Sequence, residues 1–169
     1  VAVEVNSETD FVAKNSDFQD MVKAIATAAL DVSNTDELAS ASIDGKTVTD
    51  TLTDNIAKIG ENMTLRRMQT IEAERVVTYV HNSATQDMGQ IGVLVAINGD
   101  NTEFARQVAM HVAAANPQAL SAAELDQSIV EREKNILTEQ ARESGKPEQV
   151  IEKMIQGRMK KFLAEVTLL

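Results

Sequence analysis

The sequence predicts an α+β protein, with one small antiparallel sheet of about three or four strands flanked by helices and followed by further helices. Three observations carry that expectation. Val1, Val3 and Val5 alternate as in a half-buried strand. Two runs in the middle of the chain, Arg75 to Asn82 and Ile91 to Ile97, are rich in strand-forming residues. Helical spacing of apolar residues dominates much of the rest.

The first strand stops abruptly at Asn6-Ser7, and a short helix-like piece follows, with Asp10 and Phe11 side by side near its start. Phe18, Met21, Val22, Ile25 and Ala29 then share one face of a helix over Asp17 to Leu30, with Ser16 as the expected N-cap. Residues 31–46 are rich in Asp, Ser, Thr and Asn and end in the turn signal Asp44-Gly45, with a short helical turn expected around Asp36 to Ala41. Val48, Leu52, Ile56 and Ile59 mark another helix, which Gly60 stops.

Leu65 to Glu72 alternates imperfectly as a strand, Ser83 to Gly89 reads as a polar loop, and Ile91 to Ile97 reads as a strand covered on both faces or along much of its length. Asp100 and Glu103 stand at capping-box spacing ahead of a helix that Pro117 ends. Ala122 to Glu143 is expected to be helical, and a last helix starts near Pro147 with the stripe Ile151, Ile155, Met159 and Phe162. The chain shows no internal repeat and no low-complexity tract.

The formal net charge of −10 argues against non-specific binding to nucleic acid, because phosphates would repel the chain. Arg66-Arg67 and Lys160-Lys161 are the adjacent basic pairs. Without cysteine, disulfides and thiolate metal sites are excluded. No apolar run reaches the roughly 20 residues that span a bilayer. The chain opens inside a strand pattern without Met, so it is expected to be a piece of a longer protein.

Three motifs carry the functional reading, and a fourth is set aside. Asp10-Phe11 is either a capping acid beside a core ring or an exposed wedge for an apolar pocket on a partner. His111 shares a helix face with Phe104, Val108, Val112 and Ala115, and its plain reading is a histidine packed among them. With His81 the only other histidine and no carboxylate-histidine spacing, a metal role is poor. Gly92, inside the run Ile91-Gly92-Val93, marks a bulge or a close backbone approach. Ser144-Gly145-Lys146 lacks the upstream glycine and the preceding strand of a phosphate loop.

The segment Glu4-Val-Asn-Ser-Glu-Thr-Asp-Phe-Val-Ala-Lys-Asn15 resembles the signature of the elongation factor Ts family. Ala109-Met-His-Val-Ala-Ala114 resembles its second signature, and Gly157-Arg-Met-Lys-Lys-Phe162 resembles a later segment. The resemblance implies a guanine-nucleotide exchange factor for the GTPase elongation factor Tu. It implies that Asp10 and Phe11 intrude near the magnesium site of that GTPase, and that Ile91, Gly92 and His111 touch it. No cofactor, metal ligand, direct nucleic-acid contact, membrane or covalent chemistry is expected. The implied location is the bacterial cytoplasm, with organelles left open.

The expected organisation is a core subdomain over 1–100, the helical start of a second core subdomain over 101–146, and over 147–169 the first helix of a coiled-coil hairpin. The family's N-terminal helical module and the return helix would lie outside the chain. The last helix is therefore expected to lack its partner within the chain, and to fray or to pair with a second copy as a homodimer. The alternative function is a catalytically inert helical interaction module. A carboxylate-dependent hydrolase is a poor third, because no paired acids stand at a recognisable spacing.

Overall fold

The alternating valines become β1 (Ala2–Ser7) in the computed structural model, which describes residues 1–169. One turn of helix, α1 (Asp10–Ala13), leads into α2 (Ser16–Ala28), which ends in a 3-10 turn at Ala29–Asp31. The N-cap of α2 is Asn15, not Ser16: its Oδ1 accepts from the amides of Asp17 and Phe18. α3 (Thr35–Ser40), the short strands β2 (Ser42–Ile43) and β3 (Lys46–Thr47), and α4 (Val48–Ile59) follow. Gly60 closes α4 in the left-handed conformation, with φ 85°. β4 (Met63–Gln69), β5 (Arg75–Thr85), β6 (Met88–Ile97), α5 (Thr102–Ala115), α6 (Gln127–Glu143) and α7 (Glu148–Val166) complete the chain.

Two compact units divide at Met110/His111, within α5. The core of the first unit is Val12, Phe18, Met21, Ile25, Ala29, Leu38, Val48, Leu52, Met63 and Met68. Ile25, Leu38 and Val48 are fully buried, each worth about 1.5 to 3 kcal/mol relative to exposure. β1 pairs antiparallel with β4, with a register shift between Glu4 and Val5. Glu4 ties the pair further: its carboxylate accepts from Arg66 Nη1 at 2.8 Å and Arg67 Nε at 2.6 Å. The hydrogen bond from Arg66, then that from Arg67, hold the Glu4 carboxyl below its ordinary range against the opposing effect of burial.

The α+β class holds, but the strands form three separate two-stranded ladders, β1-β4, β2-β3 and β5-β6. β6 approaches β1 without sharing its hydrogen bonds. Apolar runs mark strands; which strand pairs with which depends on tertiary placement. The hairpin also corrects two expectations. Residues 83–89 belong mostly to the ladder, which turns tightly at Gln86-Asp87, with Asp87 at φ 62°. β6 is not covered on both faces: Ile91, Gly92 and Ala96 are exposed, and no residue of either strand is fully buried.

The capping box at Asp100 gives way to a neighbour. Asn101 Oδ1 accepts from the Phe104 amide at 3.1 Å, while Asp100 pairs with Arg75 at 2.8 Å. Ala105 and Ala109 are the buried residues of α5.

In the second unit α6 starts at Gln127 rather than at Ala122, because Asp126 caps it by accepting from the Ser128 amide at 2.9 Å. That bond holds the Asp126 carboxyl below its ordinary range. α6 packs against α7, and Leu137, Ala141 and Ile151 are buried. The stripe of α7 thus has a partner within the chain, contrary to expectation; Ile155, Met159 and Phe162 are half-buried. After α7 the backbone pairs with the segment following Pro117, through Gln118 N to Val166 O at 2.8 Å and Leu168 N to Ala119 O at 3.0 Å.

Candidate functional site

β1 delivers the chain to the surface at Ser7, and a single turn of helix then has to serve two masters. Val12 is 5% exposed and belongs to the core. Its neighbour Phe11 is 80% exposed. Adjacent residues of a helix point about 100° apart, so seating Val12 turns Phe11 outward. The reading of Phe11 as a core ring is thereby excluded, and so is that of Asp10 as the cap. Thr9 is the N-cap, and its Oγ1 accepts from the Val12 amide at 3.4 Å.

Asp10 occupies the first helical position, where an acid complements the helix dipole. It pairs with Lys14 one turn on, at 2.7 Å, on an exposed face. The hydrogen bond from Lys14, with its charge, holds the Asp10 carboxyl below the usual carboxylate range. The corner therefore presents a bare ring beside an ionised acid.

Two features of this corner were not foreseen. Glu61, in the turn between α4 and β4, reaches Thr9: the Thr9 amide donates to Oε2 at 3.1 Å and the Thr9 hydroxyl donates to Oε1 at 2.8 Å. Asn62 Nδ2 donates to Glu8 Oε1 at 2.7 Å. No local pattern signals contacts across more than 50 residues; the one clue was the lack of an acid at Val12, where a capping box would have it.

The other expected site residues lie elsewhere. Ile91, 40% exposed, faces His81 across the β5-β6 ladder, and Gly92 faces Val80. Space is open around Gly92, so close backbone approach by a partner is sterically allowed. Gly89 is the glycine that the hairpin itself requires: a Cβ there would meet Val80 Cγ1 at 2.6 Å and the His81 carbonyl at 2.7 Å. His111 is exposed on α5, which excludes packing in a core. Phe104, two turns earlier on the same helix, is 59% exposed.

An open cleft beside the hairpin is lined by Thr78, Ser83, Thr85 and Asp87, with Arg106 stacked 5.9 Å from the Tyr79 ring centre. No group of three His, Cys, Asp or Glu side chains is placed to hold a metal ion. No helix is long and apolar enough to cross a membrane.

The molecule is thus an α+β chain that displays an aromatic ring and an ionised acid on a helical turn anchored in its core. The family model described as Elongation factor TS matches residues 8–169, and the chain belongs to that family. It is 67% identical over 169 residues to the Elongation factor Ts of a Ruegeria species, covering all of this chain and 58% of that protein. It is 64% identical over 169 residues to that of Ruegeria pomeroyi and 61% identical over 173 residues to that of Paracoccus denitrificans, again over 58% of each. The chain therefore spans 58% of the length of these relatives.

Proposed function

We infer that this chain acts in translation elongation as a nucleotide-exchange factor, promoting GDP release from elongation factor Tu. The observation that carries the reading is Phe11, 80% exposed beside the buried Val12, in the segment that resembles the family signature. Burying such a ring in a partner's pocket contributes about 2 to 3 kcal/mol. Asp10 brings a negative charge beside the ring, at the place where the GTPase holds its magnesium ion. Ile91, Gly92 and His111 supply further contacts to the same partner.

No bond is made or broken in this mechanism. The factor binds the nucleotide-free GTPase best and so weakens the hold on GDP. Linkage makes the effect reciprocal, so bound GDP weakens the factor by the same ratio. A thousandfold weakening requires about 4 kcal/mol of coupling. One buried ring and one charge near a coordination shell provide energies of that order by favouring a GTPase conformation that holds magnesium and phosphate poorly.

The test is to titrate the chain into elongation factor Tu loaded with a fluorescent GDP analogue. Faster release of the analogue is expected. Binding without any acceleration would leave an inert interaction module as the correct description.

A further inference from the structure

The turn that carries Phe11 cannot hold its own position. α1 is four residues long, and a helix so short is unstable alone in water. Its first amides need acceptors. In a capping box the N-cap hydroxyl takes one, and an acid three residues on accepts the amide of the N-cap itself. Here that third residue is Val12, which the core requires to be apolar. The residue that seats the turn therefore cannot also cap it.

Glu61 fills the vacancy from the other side of the corner. Its Oε2 accepts from the Thr9 amide at 3.1 Å, as the missing acid would. Its Oε1 accepts from the Thr9 hydroxyl at 2.8 Å, which leaves a lone pair of that oxygen to accept from the Val12 amide. Glu61 is itself placed by the stop of α4: Gly60, at φ 85°, donates its amide to Ile56 O at 2.8 Å and turns the chain toward Thr9. Asn62 adds the bond to Glu8.

We propose that Glu61 is a positioning residue for Asp10 and Phe11, completing a capping box across 52 residues so that the exposed ring is held ready for its partner. This assignment rests on the reading of Phe11 as the contact that drives exchange. Glu61 touches no reacting atom; it acts through Thr9 and α1.

The test is a double-mutant cycle on GDP release from elongation factor Tu, with Glu61→Ala, Glu61→Gln, Phe11→Ala and the Glu61→Ala, Phe11→Ala pair. Glu61→Ala is expected to slow release about threefold to thirtyfold, the range that a lost cap represents. Glu61→Gln keeps a carbonyl for the Thr9 amide and should fall between it and the parent chain. With Phe11 already removed, Glu61→Ala should change release by less than about twofold, because its effect runs through the ring. Amide exchange at Val12, Ala13 and Lys14 in the free chain should speed up in Glu61→Ala while that of Met21 to Ile25 stays unchanged.

Fully additive losses, or normal release by Glu61→Ala where Phe11→Ala is slow, would overturn the assignment. Should Phe11→Ala release GDP at the parent rate, the reading of Phe11 fails. The exchange of the α1 amides then decides Glu61 alone, and unchanged exchange would overturn its positioning role. If Glu61→Ala does not fold, Glu61→Gln carries both comparisons.

Discussion

Phe11 and Ile91 are both exposed apolar side chains proposed to meet the same partner, yet they stand on different foundations. Phe11 rides a turn whose next residue, Val12, is locked into the core, and which Glu61 pins from outside. Ile91 rides a two-stranded hairpin with no fully buried residue. Two strands alone are marginal in water. The difference separates two ways of offering an apolar group: on a corner seated in a core, where ordering is expected to precede binding, and on a ladder with little burial behind it, where part of the ordering is expected to accompany binding.

The largest effect should come from removing the foundation of the corner. Ile25→Ala hollows a fully buried site and should cost about 2 to 5 kcal/mol of stability, read by chemical denaturation. A loss below about 1 kcal/mol would mean that the core does not anchor the corner as described.

Phe11→Ala comes next and separates display from stability. Its ring is 80% exposed, so the melting transition should move by no more than about 0.5 kcal/mol. GDP release from elongation factor Tu should nevertheless slow by about 30-fold to 140-fold, the worth of one buried ring. A core-sized loss of stability would make Phe11 structural.

Gly89→Ala probes the hairpin. The added carbon meets backbone oxygen as well as Val80, and overpacking of this kind costs about 1 to 3 kcal/mol. Because so little of the hairpin is buried, the loss should be local, with faster amide exchange in β5 and β6 and none at Val12 or Ile25. Equal acceleration in both regions would show that corner and hairpin unfold as one.

Asp10→Ala should have the smallest effect on release, less than Phe11→Ala, because an exposed charge is screened by salt. Its effect should depend on free magnesium. The sign of the pH dependence follows from Lys14, which depresses the folded-state carboxyl. The Asp10-Lys14 contribution is fully present above the unfolded value of about 3.9 and fades as pH falls through the lowered folded value. Release should therefore show no Asp10-dependent change between about pH 5 and 8. A defect identical at low and high magnesium, or a midpoint within that range, would contradict this role.

Much of the corner was legible before the structure. Alternating valines, the break at Asn6-Ser7 and the helical face of Phe18, Met21 and Ile25 are local patterns, and β1 and α2 follow them. Where helices begin was read less well. Asn15 and Asn101 cap in place of the neighbours expected, because several adjacent polar residues can cap and backbone geometry chooses among them, and Asp126 starts α6 well after the Ala122 expected.

The division of the strands into three ladders was illegible too, since pairing partners are set by tertiary placement and β6 passes β1 unpaired. Exposure was open for Phe11 and His111, because periodicity gives a face and not what covers it. Glu61 left no trace in its own surroundings, only the missing acid at Val12; its role depends on a turn that Gly60 creates 50 residues after Asp10.

Exchange driven by the exposed ring requires that Phe11 distinguish two states of its partner. The direct measurement is the affinity of the chain for nucleotide-free and for GDP-bound elongation factor Tu, with and without Phe11→Ala. The parent chain should bind the nucleotide-free form more tightly, and Phe11→Ala should lose affinity for that form while changing little toward the GDP-bound form, so that the ratio shrinks. A variant that keeps the full ratio would show that the coupling resides elsewhere in the chain, and the exposed ring would not be the element that drives exchange.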